Sequence, residues 1–346
     1  MEGKFTYTPE IPEVFRCRVP LPDTAQAFVI NGLVQGGANL PGGVSLAEVS
    51  GGGSHIAVEK GVKAPGTLQI IAVRDSSAGT PLNLTHQISV GEDSSFSLLL
   101  CSHTLTLDSY STIDTIALNA GPKSVTEVVV MQNENNNSSH ETKFVLNIAD
   151  GALVKITIVT LHGAKISNEV VAHINGEQAS CELNGLCLAD GSQEMSTIVN
   201  MHHHKPNCHS SQLFKGILDD DARSSFAGKI FVDRDAQKTE AYQANHNLLL
   251  KRTAKAFVQP QLVIYADDVK CSHGATSGRL DEEALFYMRS RGIGRDEAKL
   301  LQQLAFVNDV LETITNENLK IRLEELVESR LRGEFSHCAN CSVNCC

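Results

Sequence analysis

Cys271 and His273, in the segment DDVKCSHGAT, are a pair of side chains that can bind a soft metal or act as a nucleophile. They are two residues apart, so they lie on one face if the segment is an extended strand. A thiolate beside an imidazole can ligate a metal ion or an iron–sulfur cluster, or can form a Cys–His nucleophilic dyad. Two ligands do not complete a metal site. We therefore expect any metal held here to need groups from elsewhere, including from another chain.

A second group of candidate ligands is the histidine run in MHHHKPNCHSSQ, which contains His202, His203, His204, Cys208 and His209. Such side chains bind zinc, iron or nickel. Successive residues of a strand point to opposite faces, so His202 and His204 can converge whereas His203 cannot join them. Only a partial metal site follows. A structural or solvent-exposed cluster is the favoured interpretation, because no carboxylate–histidine–metal arrangement is visible in the sequence.

The end of the chain holds a third candidate, formed by Cys338, Cys341, Cys345 and Cys346. Four thiols at this spacing can bind soft metals, but a zinc site normally joins two separated pairs of ligands. A flexible, redox-exposed terminus accounts for the same residues, so both interpretations stay open. The chain has no GxSxG, HExxH or phosphate-loop signature. The sequence therefore gives no argument for hydrolysis or nucleotide binding.

Charge and composition argue against several classes of function. The 346 residues include 29 Lys and Arg against 40 Asp and Glu, a formal net charge of −11, and 42% are hydrophobic. An acidic chain without a clustered basic stripe is a poor partner for nucleic acid. Residues 1–15 have no signal-peptide run, and no stretch of about 18 uncharged apolar residues occurs. We predict a cytoplasmic protein with mostly reduced cysteines and no nucleic-acid or membrane partner.

Short β-strand patterns must position most of these residues. From about 55 to 268, runs rich in Val, Ile, Leu and Thr recur roughly every 12 to 16 residues, separated by Gly, Asn, Asp and Ser. In the run over 152–162, the residues alternate between two faces of a strand. Val154, Ile156 and Ile158 lie on the first face, and Lys155, Thr157 and Val159 lie on the second. We expect its first face to be buried and its second to be mostly solvated.

The number of runs favours a solenoid over a sandwich or barrel, which usually has about 7 to 10 strands. In a parallel β-helix each coil stacks on the previous one, and unpaired strand edges remain only at the two ends. The sequence therefore predicts a mainly β fold whose ends need caps or partners. A homodimer through an uncapped end is one such solution.

Beyond about 280 the pattern changes to the 3.6-residue period of an α-helix. Helices are predicted over 281–291, 295–314 and 316–332. The first is acidic in its first turn and basic in its last, and it stops at Gly292. These helices are either a cap over the open end of the solenoid or a docking module for another protein. From the pattern alone the cap is favoured.

The stretch 204–293 resembles the core of the SufB/SufD family of iron–sulfur cluster assembly proteins. The matching motifs are HKPNCHSSQLFKGIL (204–218), FAGKIFVDRDAQKTEAYQANHNLLL (226–250), PQLVIYADDVKCSHGAT (260–276) and GRLDEEALFYMRSRGI (278–293). The segment CSHGAT resembles SufD, whereas SufB-like chains tend to carry an acidic segment at that point. The chain is therefore identified as SufD-like. Many SufD-like chains begin with a longer helical region, and the cysteine-rich tail lies outside the matching motifs.

The resemblance implies a fold and a set of partners. The fold is a right-handed parallel β-helix followed by a small C-terminal α-helical region. The implied function is a non-catalytic scaffold subunit for iron–sulfur cluster assembly, which pairs with a SufB-like subunit and docks a SufC-like ABC-type ATPase. We divide the chain into a loop-rich lead-in (1–54), a β-helix core (55–279), a helical docking region (280–335) and a flexible Cys-rich tail (336–346).

The resemblance also assigns site residues. His273 occupies the position of the family's interface histidine, with Cys271 beside it, which implies a shared interface site for a transient iron ion or iron–sulfur cluster. No cofactor is expected to bind tightly to the isolated chain. The residues expected to bind SufC are Leu285, Phe286, Tyr287, Arg289, Leu300 and Leu304.

Two hypotheses from other classes stay open. One is a stand-alone metal-binding or metal-delivery protein that uses the histidine run and the cysteine tail. The other is a hydrolase or lyase built on a β-helix. The acidic residues argue against this hypothesis, because they are not grouped on one run of strands.

Overall fold

A computed structural model describes residues 21–37, 40–75, 79–105 and 108–333. The first ten strands are β1 (Thr24–Ile30), β2 (Leu33–Gly37), β3 (Val44–Glu48), β4 (Gly53–Val58), β5 (Thr67–Arg74), β6 (Leu82–Val90), β7 (Ser95–Thr104), β8 (Ser111–Ala120), β9 (Val125–Asn133) and β10 (Ser139–Ile148). The next nine are β11 (Leu153–His162), β12 (Lys165–Ile174), β13 (Ser180–Ala189), β14 (Glu194–His203), β15 (His209–Leu218), β16 (Arg223–Val232), β17 (Glu240–Leu249), β18 (Lys255–Ile264) and β19 (Lys270–Gly278). The helices are α1 (Glu282–Ser290), α2 (Arg295–Leu311) and α3 (Glu317–Leu331).

The strands form a parallel β-solenoid, as the sequence predicts. From β4 onward, successive strands alternate between two sheets, and each pairs in parallel with the strand two places along the chain. One sheet, the odd sheet, contains the odd-numbered strands from β19 to β5 and ends with β1 and β2. The other, the even sheet, contains the even-numbered strands from β18 to β4 and ends with β3. At the N-terminal end β2 and β3 pair antiparallel with β1 and β4. This end is therefore terminated differently from the other.

The interior of the solenoid is built from side chains stacked in register. In the odd sheet, Leu98, Val128, Ile156 and Leu183 are neighbours on four successive turns, and all are buried. The even sheet faces them with similar stacks, such as the one that includes Phe144 and Val170. The two-residue period of each strand thus places one apolar row per turn in a continuous core.

The predicted burial of strand β11 is confirmed on one face and wrong on the other. Val154, Ile156 and Ile158 point into the solenoid and are buried. The second face was expected to be mostly solvated, yet Thr157 and Val159 are also buried. The reason is that α2 and α3 cover the outer face of the odd sheet. A second apolar cluster joins this face to the helices, and it includes Val159, Leu161, Leu186, Val307, Val310, Leu323 and Val327.

The helices therefore lie along the side of the solenoid, and the cap interpretation is wrong for them. The amide of Thr315, just after α2, donates to Glu127 of β9 at 2.8 Å, and Asn316 Nδ2 donates to Thr67 Oγ1 of β5 at 2.9 Å. Arg330 of α3 forms an ion pair with Asp190 at 2.7 Å. The first two contacts reach N-terminal turns, and α2 packs on β13 and β15. None of the described helices has the length and apolar character needed to cross a bilayer.

The ends of the helices follow from local sequence. Asp281 caps α1, and its carboxylate accepts hydrogen bonds from the amides of Glu283 and Ala284. Gly292 follows α1 with φ of +88°, a conformation that glycine adopts without strain. Asn316 caps α3 by accepting from the amide of Leu319 at 3.0 Å. The helix predicted over 295–314 ends earlier, at Leu311, because the chain turns there toward the odd sheet.

The lead-in predicted for 1–54 contains strands where the structure describes it. Residues 24–48 form β1, β2 and β3, and β4 begins at Gly53. Glycine hides the strand pattern here. A side chain at Gly53 would meet the backbone of Thr85 at 2.1 Å, so the close approach of neighbouring turns requires glycine at that position. The solenoid therefore begins before residue 55.

A buried ionic network crosses the interior in the N-terminal half of the solenoid. His140 bridges two carboxylates: Nε2 lies 3.0 Å from Asp114 Oδ2, and Nδ1 lies 3.0 Å from Glu134 Oε1. Arg74 Nη2 lies 3.4 Å from Asp114 Oδ1. Burial opposes charge on His140, but the attraction of Glu134 and Asp114 prevails and raises the pKa of His140 to about 9. Burial likewise opposes ionisation of Asp114, yet His140 and Arg74 hold the pKa of Asp114 well below its usual value.

Candidate functional site

Cys271 and His273 lie on the last turn of the solenoid and share one face, as predicted. Their strand, β19, pairs in parallel with β17, so that Cys271 is the neighbour of Ala241 and His273 is the neighbour of Gln243. Ala241 and Gln243 are buried in the interior. Because register neighbours in a parallel sheet point the same way, Cys271 and His273 continue the interior rows to the open end.

The two side chains differ in their exposure. Cys271 is half-buried and packs against the apolar core, whereas His273 is exposed. Burial raises the pKa of the Cys271 thiol, although a backbone hydrogen bond from Ala241 opposes this in part. The thiol is therefore protonated at neutral pH, and a metal ion that binds its sulfur must displace the proton.

The end of the solenoid around this pair is an open, partly apolar surface. Half of the residues of β18 and all but one of β19 are exposed, and no strand among the described residues pairs with their outer edges. Large exposed apolar side chains nearby are Tyr242, Phe257, Ile264 and Tyr265, of which Tyr265 is 63% exposed. Unpaired backbone groups beside exposed aromatic side chains are suited to pairing with another β-structure.

The pair does not form a complete metal site within the described ranges. No group of three or more His, Cys, Asp or Glu side chains there is arranged to hold a metal ion. Cys181, Cys187, Cys208 and Cys271 form no disulfide with another described cysteine. A metal ion bound by Cys271 and His273 would therefore take its other ligands from outside these residues.

The histidine run separates as the strand alternation predicts. His203 points inward and is buried, with Nε2 2.8 Å from Ser210 Oγ, and burial lowers its pKa to about 4. His202 and His204 converge on the outer face, with ring centroids 5.9 Å apart. A third histidine that the sequence did not reveal, His173, joins them from β12, where it is the register neighbour of His202.

This three-histidine cluster, His173, His202 and His204, is tied to one carboxylate. His173 Nδ1 lies 3.2 Å from His204 Nε2, and His204 Nδ1 lies 2.7 Å from Asp233 Oδ2. Burial and the neighbouring histidines lower the pKa of His173 and His202, so their rings are neutral at neutral pH. The three rings stack on one another, and His202 also stacks on the ring of Phe231. The interpretation of the run as a structural or solvent-exposed cluster stays a prediction.

The other two residues of the histidine segment lie apart from this cluster. Cys208 is buried, and its Sγ donates to the carbonyl oxygen of Gly176 at 3.1 Å. The ring of His209 packs against Tyr242 of β17, with ring centroids 5.9 Å apart. Neither side chain reaches the three-histidine cluster, and the tail cysteines Cys338, Cys341, Cys345 and Cys346 lie outside the described residues.

The six residues expected to bind a partner on the helices fall into two groups. Phe286 and Tyr287 of α1 are 74% and 60% exposed, and Arg289 is exposed beside them. Leu285 and Leu300 are buried, and Leu304 packs in the cluster that joins α2 to the odd sheet. In this structure the first group faces solvent and the second holds the helices in place.

Comparison with known proteins matches residues 73–306 to the family model described as "SUF system FeS cluster assembly, SufBD core domain". The Escherichia coli (strain K12) "Iron-sulfur cluster assembly protein SufD" is 32% identical over 321 residues, which cover 91% of this chain and 73% of that protein. A SufBD family protein of Synechocystis is 36% identical over 185 residues, 53% of this chain and 41% of that protein. The SufD of Plasmodium berghei is 31% identical over 184 residues, 14% of its length.

Proposed function

The chain belongs to the SufB/SufD family of iron–sulfur cluster assembly proteins and is SufD-like within it, and from this we propose that it is a scaffold subunit of an assembly complex. In this proposal it is not itself a catalyst. It pairs with a SufB-like subunit, docks a SufC-like ABC-type ATPase, and supplies Cys271 and His273 to a site shared with the SufB-like chain.

The observation that carries the proposal is the position of Cys271 and His273. They are the last members of two interior rows, on a turn that no described residue covers. A partner solenoid that pairs with β18 and β19 would therefore meet both side chains at the centre of the new interface. The cargo, an iron ion or nascent cluster, would take the thiolate and one imidazole nitrogen from this chain and its other ligands from the partner.

The exposed part of α1 supports the docking of a second partner. Phe286 and Tyr287 form an aromatic surface next to the positive charge of Arg289, which is the composition common at the centre of protein interfaces. The same helix is anchored through Leu285 to α2, and α2 packs on β13 and β15. A force applied to α1 by a moving ATPase would therefore be transmitted to the turns next to the open end.

The experiment that tests the proposal is co-expression of the full chain with SufB-like and SufC-like proteins, followed by native mass measurement of the purified complex. Truncation after residue 279 is unsuitable, because it would expose the apolar outer face that α2 and α3 cover. We use Phe257→Glu with Tyr265→Glu to place charges at the open end. The control is Ile198→Glu, on β14, whose side chain is similarly exposed but lies away from that end.

We expect the unsubstituted chain and the Ile198→Glu variant to carry both partners. The double variant should lose the SufB-like subunit and keep the SufC-like subunit. If the unsubstituted chain purifies alone whatever partners are supplied, the scaffold proposal is wrong. The metal content of the isolated chain then tests the stand-alone metal-binding alternative.

A further inference from the structure

A short link, residues 279–281, joins β19, the strand of the candidate metal ligands, to α1, the proposed docking helix. β19 ends at Gly278 and α1 begins at Glu282. Every residue of β19 but one is exposed, and among the described residues of α1 Leu285 alone is buried. Elements with few buried contacts open locally at low cost. The contacts that fix the link therefore determine where α1 lies.

Gln302 of α2 holds the link through both ends of its carboxamide. Its Oε1 accepts a hydrogen bond from the amide of Asp281 at 2.9 Å, and its Nε2 donates to the carbonyl oxygen of Asp281 at 2.9 Å. Because a carboxamide is planar, two bonds to the donor and the acceptor of one residue fix both the position and the rotation of that residue. We call this pair of hydrogen bonds the Gln302 bridge.

Asp281 is also the residue from which α1 starts. Its carboxylate accepts from the amides of Glu283 and Ala284, and its carbonyl oxygen accepts from the amide of Leu285 at 2.9 Å. The main chain of Asp281 is thus bound to α2 while its side chain caps α1. At its other end α1 is followed by residues 292–294, whose two glycines restrain the chain weakly. The direction of α1 is therefore set at its first turn.

The helix that supplies the bridge is itself firmly attached to the solenoid. α2 packs on β13 and β15, and its residues Val307 and Val310 are buried in the apolar cluster on the odd sheet. Leu280, in the link, packs against the same cluster. The Gln302 bridge therefore ties the end of β19 and the start of α1 to one well-packed body.

We propose that Gln302 is a positioning residue that holds α1 in the orientation that binds the ATPase and couples docking on α1 to the protection of β19. A helix that is already oriented loses less conformational freedom on binding, so the bridge strengthens docking. Coupling between two sites is reciprocal, so docking must also stabilise the bridge and the strand that leads into it. The inference rests on the proposed function for the identity of the partner, but the effect of Gln302 on the isolated chain does not.

The first experiment measures hydrogen–deuterium exchange of the isolated full chain by mass spectrometry. Gln302→Met keeps the length of the side chain and removes both hydrogen bonds, and Gln302→Ala is a second variant that also removes the stem. The control is Asn308→Ala, an exposed amide side chain on the same helix. We expect amide exchange in β19, the link and α1 to be about 10-fold faster in both Gln302 variants and unchanged in the control.

Two results would overturn the proposal. One is unchanged exchange in β19 and α1 of the Gln302 variants. The other is faster exchange throughout α2 and the solenoid, because Gln302 would then only stabilise the fold as a whole. The expected result is a change confined to the two elements that meet at Asp281.

A second experiment separates this inference from the proposed function, by adding a SufC-like protein to the same chains. In the unsubstituted chain and in Asn308→Ala, docking should slow exchange in both α1 and β19. Gln302→Met should bind about 10-fold more weakly and show slower exchange in α1 alone. Slower exchange confined to α1 in the unsubstituted chain would show that docking and β19 are not coupled. If exchange slows in none of the chains, the docking proposal fails, and the isolated chains still decide whether Gln302 positions α1.

Discussion

The Nζ atom of Lys215, in β15, donates a hydrogen bond to the carbonyl oxygen of Phe306, in α2, at 2.7 Å. The same ammonium group pairs with Asp309 and lies 4.8 Å from the centre of the Phe306 ring. Lys215 is 7% exposed. It belongs to the motif that carries the family resemblance, and it fastens α2 to the turn that precedes β17 and β19.

Replacing Lys215 with methionine should therefore loosen α2 from the solenoid. Methionine keeps the length and apolar stem of the side chain but removes the charge-assisted hydrogen bonds, so we expect the free energy of unfolding to fall by about 1–3 kcal/mol. Urea denaturation followed by circular dichroism measures this. Lys299→Met, at a more exposed position in α2, is the control and should change stability by less than about 0.5 kcal/mol. Equal effects of the two substitutions would contradict the fastening role.

The network around His140 predicts how stability depends on pH. The pKa of His140 in the folded chain is about 9, above the ordinary value of 6.5, so its contribution is complete below pH 6.5 and is lost as the pH rises through 9. That contribution is on the order of 3 kcal/mol. The pKa values of Asp114 and Glu134 are lowered in the folded chain, so the two carboxylates stabilise the fold at pH values above the pKa values of the unfolded chain. This stabilisation is lost as the pH falls toward the pKa values of the folded chain. The contribution of this network to stability is therefore largest between about pH 5 and 6.5.

The variant His140→Gln isolates this pH dependence. Glutamine cannot gain a proton, so denaturation midpoints measured from pH 6 to 9.5 should fall for the unsubstituted chain and change much less for the variant. The variant should be less stable at pH 6 by about 3–5 kcal/mol, since it removes the positive charge that pairs with both buried carboxylates. Parallel midpoint curves for the two proteins would show that His140 is not charged in the folded state.

Docking of the ATPase is expected to depend on Phe286 and Tyr287. Their replacement by alanine should lower the fraction of SufC-like protein that co-purifies by tenfold or more, which corresponds to about 1.4 kcal/mol of binding free energy. The thermal midpoint of the chain should not change, because both side chains are exposed. Ile321→Ala on α3, which is 46% exposed, is the matched control. Retention of the ATPase by the double variant at the level of the control would place the docking surface elsewhere.

The sequence predicts the solenoid and the helices well because each depends on a local period. Alternation along 152–162 is visible without knowledge of neighbours, and the apolar rows of α2 and α3 follow from a 3.6-residue spacing. The common face of Cys271 and His273 is predicted for the same reason, since it needs only an extended strand. Their place at an open end comes from the order of the turns.

Features that depend on packing between distant segments could not be read from the sequence. Val159 is buried because helices more than 140 positions later cover it. His173 joins His202 only through the register of β12 and β14. The residues of the ionic network, Arg74, Asp114, Glu134 and His140, are separated in the chain, and polar residues within strands look like solvent-facing positions until the coils are stacked.

The iron and acid-labile sulfide content of the purified complex tests the central claim most directly. We compare the complex containing the unsubstituted chain with complexes containing Cys271→Ser, His273→Ala and the control His202→Ala, whose histidine belongs to the outer cluster. The account predicts at least a tenfold loss of cluster with either of the first two substitutions and no change with the control, all at equal native mass. Full cluster content in Cys271→Ser and His273→Ala, or a loss confined to His202→Ala, would contradict it.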